Sequence, residues 1–245
     1  MTTNTFVIDS DDKAWELFKQ AAAGADFGDG FELELKDWPK VSLKFEGTAF
    51  QTSLPARAMH PFIELQKEIY RLYAQEVYGS ANINKLSFVE KSALELVVTV
   101  GEGSTFTFPN LENVLTEFVR LAGKKMTSAQ IAGVVIAIGV GYFGNQAWKS
   151  HVQGEVDKKE LETRVELSQQ ETERLKMMAK VAESNTAVAN VVRGADDFRN
   201  NVMRAVGPKD RVVIDPADTP SDDDLVIDGA TFFISSLFLP FLLFF

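Results

Sequence analysis

Residues 126–148 carry no formal charge, and this mostly apolar stretch constrains the chain more than any other. At about 1.5 Å of rise per residue, a helix of that length crosses a hydrocarbon core of roughly 30 Å. Lys124 and Lys125 stand before it and Lys149 after it, so the stretch reads as a single transmembrane helix. Ala129, Gly133, Ala137, Gly141 and Asn145 recur every four residues. They line one face with small side chains and one amide, a pattern that lets helices approach closely in lipid. Trp148, with Tyr142 further in, suits an interfacial anchor. The competing reading is a buried core helix, which Gly133, Gly139, Gly141 and Gly144 would also suit, since the densest apolar run, residues 131–143, is shorter than a full span.

The span divides the remaining sequence. Residues 1–123 form an expected α+β domain. Its signals are an apolar run at 6–8, an amphipathic helix near 11–23, and alternating Phe31, Leu33, Leu35 and Val41, Leu43, Phe45 that read as a hairpin. Pro61 marks the first turn of a second amphipathic helix, carried by Phe62, Leu65, Ile69 and Leu72 and closed by Gly79. Ser87 and Glu90 have capping-box spacing, 94–100 and 105–108 read as strands about a glycine turn, and Asn110 is placed to cap a helix that leads towards the span. Residues 149–206 form a long charged, then amphipathic, helical region. It suits a loose oligomeric stalk or a helix folding back at Asn185 or Gly194, because its heptad pattern is weak. Residues 207–230 read as a small β hairpin around an acidic loop, and 231–245 as an apolar tail with six phenylalanines.

Charge and composition exclude some classes. The net charge of -10 is spread evenly, with 13 basic and 18 acidic residues before Met126 and 12 and 17 from Lys149 onward. No basic stripe for nucleic acid emerges. The absence of cysteine removes thiolate nucleophiles and thiolate metal sites. His60 and His151 are the only imidazoles, no nucleotide loop, EF-hand or serine elbow is present, and no cofactor is expected. The first ten residues lack the basic start and apolar core of a signal peptide, which places the N-terminal domain in the cytoplasm at the inner (plasma) membrane.

The loop before the second helix, with two prolines and the isolated Arg57, is the place to look for a small anion, and His60 adjoins it. No catalytic set and no metal site are nominated. The expected function is a non-enzymatic membrane-anchored sensor, scaffold or effector, of the kind found in bacterial stress or phage defence. It would self-associate through its membrane helix and long helix, with the bilayer, a second copy and an unidentified protein as partners. The other readings are an anchored metal-dependent enzyme using carboxylates, and an interaction protein with a buried apolar helix.

Overall fold

The computed structural model describes residues 4–28, 30–51, 53–101, 104–123, 125–144, 147–148, 151, 169–215 and 225–230. In chain order its elements are β1 (Asn4–Ile8), α1 (Asp11–Ala22), β2 (Phe31–Leu35), β3 (Ser42–Glu46), α2 (Ala56–Tyr78), α3 (Phe88–Ala93), β4 (Thr99–Gly101), β5 (Thr105–Thr107), α4 (Leu111–Ala122), α5 (Ser128–Phe143), α6 (Gln169–Ser184), α7 (Thr186–Ala205), β6 (Arg211–Asp215) and β7 (Leu225–Asp228).

The expected transmembrane helix is corrected. Among the described residues no helix is long and apolar enough to cross a membrane, so the membrane-spanning, single-pass reading is not supported. The apolar stretch is instead α5, a helix of 16 residues that starts at the Thr127–Gln130 capping box. Every residue from Ile131 to Phe143 is buried, against α1 and α7 chiefly and α4 at its start. A helix apolar all round is what either a bilayer or a protein core requires, and here the core supplies the surroundings. Each fully buried Val, Ile or Phe contributes about 1.5–3 kcal/mol.

The division of the fold into successive units is corrected as well. The C-terminal hairpin β6–β7 does form, but it completes a five-stranded antiparallel sheet of order β4-β5-β3-β6-β7 with strands from the N-terminal half. Leu43 pairs with Phe106 on one side and with Ile214 on the other, and Phe45 with Val212. Their side chains are all at or below 1 % exposure. Phe62 of α2 stacks on Phe106 with ring centroids 4.9 Å apart, and α7 lies along α2. The long helical region breaks at Asn185, whose side chain accepts from the N–H groups of Ala187 and Val188 and starts α7 as an N-cap. The chain thus folds back there, and α6 and α7 pack together.

The alternation in residues 31–35 and 41–45 is real, but the two runs do not form a hairpin. β2 pairs in parallel with β1, across the helix α1, in a separate two-stranded sheet. Trp38 separates the runs. It is buried, donates from Nε1 to Asp11 Oδ1 at 2.7 Å, and reaches α5 so closely that a Cβ on Gly139 would sit 2.2 Å from its ring. Anchoring Trp38 between α1 and α5 sends the chain from one sheet to the other. α2 also starts earlier than its proline suggests, at Ala56, with Pro61 inside the helix.

Candidate functional site

Of the two side chains singled out for anion binding, Arg57 is already engaged. Its Nη2 pairs with Asp210 Oδ2 at 2.8 Å, its Nε donates to the Ala205 carbonyl at 2.9 Å, and the guanidinium lies over the Phe50 ring. Asp210, only 7 % exposed, also accepts from the Gly207 N–H. Arg57 therefore ties the start of α2 to the turn between α7 and β6. His60 is exposed on α2, and the structure does not bring it to Arg57 through any hydrogen bond or ion pair.

The face of small residues points inward within the same chain. A Cβ on Gly141 would touch Ala195 and Val191 of α7. Ala137 and Gly133 are buried and Ala129 is partly buried, while Asn145 lies outside the described residues. So does most of the acidic loop, residues 216–224. Among the described residues no three His, Asp or Glu side chains are grouped to hold a metal ion.

The C-terminus of α5 is buried, and its carbonyls need partners that water cannot supply. Trp148 Nε1 donates to the Tyr142 carbonyl at 3.1 Å, and Arg199, itself 5 % exposed, donates from Nη1 to the Gly141 carbonyl. Asp196 balances the guanidinium, and His151 completes the group with Nδ1 at 3.6 Å from Asp196 and Nε2 at 3.3 Å from Asn200. Burial favours the protonated form of the Asp196 carboxyl, but His151 and Arg199 outweigh it and hold the pKa below the ordinary value. The cluster closes a helix end.

A second carboxylate fastens α3 to α2. Glu90 accepts from Tyr73 and Tyr78 through one oxygen and from the Ser87 N–H and hydroxyl through the other. Burial opposes its ionisation, yet these four donors prevail and hold its pKa down to about 2. With every lone pair direction committed, Glu90 is a latch.

A cleft of about 1090 Å³ opens between β2, one face of α4 and the start of α5. The ladder places it. Asn4 N–H donates to the Gly30 carbonyl at 2.9 Å and Lys36 N–H to the Ile8 carbonyl at 2.8 Å, so the backbone groups of Gly30, Glu32, Glu34 and Lys36 turn towards β1. In a parallel ladder the alternate residues turn the other way. The N–H and C=O groups of Phe31, Leu33 and Leu35 therefore face away from β1, and β2 has no second strand among the described residues. Across the cleft, Glu112, Asn113, Thr116, Val119 and Arg120 recur on one face of α4, with Gly123 at its C-cap. Leu33 and Leu35 point into the core, whereas Glu32 and Glu34 are exposed.

Alternation in 31–35 marks a strand with one wet face, but it does not say which strand becomes its neighbour. That is why the open edge was not legible from sequence. Comparison with known protein families, with curated proteins and with solved structures yields no match to this chain.

Proposed function

We propose that the protein is a non-catalytic interaction module that receives an extended segment of a partner protein in the cleft between β2 and α4. The reading rests on one observation: the outward backbone groups of Phe31, Leu33 and Leu35 line a groove large enough for a chain. A free strand edge is a template for another strand, with main-chain hydrogen bonds supplying affinity and the neighbouring walls supplying selectivity. A two-stranded sheet is only marginally stable by itself, so a third strand would add to an element with capacity for one. Helices α4 and α5 hold the far wall, and both are fixed in the core through Leu115, Phe118, Val134 and Val135.

A displayed peptide library selected on the full chain tests the reading. Selected peptides are expected to slow amide hydrogen exchange at Phe31, Leu33 and Leu35 while leaving Glu32 and Glu34, already bonded to β1, unchanged. Binders that protect none of those three amides would overturn it.

A further inference from the structure

The walls of this cleft differ in character on the two faces of β2, and that difference specifies the chemistry of the segment. On the outer face Glu32 and Glu34 are exposed, and Asp26 and Glu112 add two more carboxylates to the lining. The basic side chains of the lining are both engaged: Lys36 pairs with Glu34 at 3.3 Å, and Arg120 pairs with Glu117 at 2.6 Å. Among the described residues no ion pair neutralises Glu32, Asp26 or Glu112. Besides Phe31, Leu33 and Leu35 of β2, the apolar side chains of the lining are Val119 and Met126, partly buried against the core, and Ile131, buried in it.

We propose that the occupant is a basic amphipathic strand, with Lys or Arg alternating with aliphatic residues. The inference rests on the strand-addition reading above. In an added strand, successive side chains point to opposite faces. One set lies beside Glu32 and beside Glu34, which it would share with Lys36, and opposite charges on neighbouring strands attract. The other set lies beside Leu33 and Leu35 and reaches Val119, Met126 and Ile131, where burial of apolar surface stabilises the complex. The net charge of -10 favours approach of such a segment from a distance.

Capped octapeptides of four Lys-Val, four Ser-Val or four Glu-Val repeats, and one of two Lys-Lys-Val-Val repeats, provide the probes for fluorescence anisotropy with the full chain. Lys-Val is expected to bind about tenfold more tightly than Ser-Val, the effect of two or three favourable cross-strand pairs. Glu-Val should be weakest. Lys-Lys-Val-Val has the same charge with the wrong period, and should bind no better than Ser-Val. The E32Q/E34Q variant should bring Lys-Val to the level of Ser-Val, and the E32K/E34K variant should reverse the order of Lys-Val and Glu-Val. Equal binding of Lys-Val and Ser-Val, or of Lys-Val and Lys-Lys-Val-Val, overturns the inference. Amide exchange of the same complexes separates the two levels. Protection of Phe31, Leu33 and Leu35 by peptides of any charge leaves strand addition standing and rejects the basic partner. Protection by none of them rejects both.

Discussion

Glycines in α5 illustrate how little a residue's identity says about its neighbours. Gly133 and Gly139 belong to one helix and are both buried, yet a Cβ on Gly133 would meet nothing within 4 Å, whereas one on Gly139 would sit 2.2 Å from the Trp38 ring. Replacing a glycine inside a helix with alanine removes backbone freedom from the unfolded chain and gains roughly 0.5–1 kcal/mol where space exists. Overpacking costs about 1–3 kcal/mol. Gly133→Ala is therefore expected to raise the urea midpoint of unfolding and Gly139→Ala to lower it, with Trp38→Leu reducing the additional loss due to Gly139→Ala in a double-mutant cycle. The spacing of small residues at every fourth position was legible. That Gly141 meets Ala195 and Val191 of its own chain was not, because these partners lie fifty or more residues away in the sequence.

Elements with local signals were the most legible. The capping box at Ser87 and Glu90, α1, α4 and β5 stand where their patterns place them, whereas β4 covers Thr99–Gly101 rather than 94–100. Asn110 instead uses its side chain to bond Val97 and Glu95, holding the approach to β4 against α4. The Glu90 latch joins α3 to α2 and makes a prediction about pH. A carboxylate whose folded pKa lies near 2, below its ordinary 4.5, contributes stability that is present above about pH 4.5 and is lost as pH falls towards 2. The urea midpoint of the native chain should exceed that of Glu90→Gln at pH 7, and the two should converge between pH 4.5 and 2. A constant difference across that range would contradict the latch. β2 marks the limit of local signals, since its face was legible and its partner was not.

At the scale of the whole molecule, the order of segments along the chain suggested a soluble domain, a span, a stalk and a hairpin. The structure interleaves these segments: Leu43 and Ile214 are neighbours in one sheet, α7 lies against both α2 and α5, and Arg174 of α6 pairs with Asp12 and lies over Trp15 of α1. Apolar content around the full circumference of a helix is the same signal for a bilayer and for a core, so only the surroundings distinguish them. Those surroundings are assembled from segments before and after α5, beyond the reach of periodicity. They also fix the wall that faces β2, so the buried helix and the open edge are parts of one account. Residue-resolved amide hydrogen exchange of the free full-length chain tests both together. The account predicts that amides within α5 exchange among the slowest, through global unfolding, and that Phe31, Leu33 and Leu35 exchange much faster than the alternate Glu32 and Glu34. Rapid exchange throughout α5, or equal protection along β2, would contradict it.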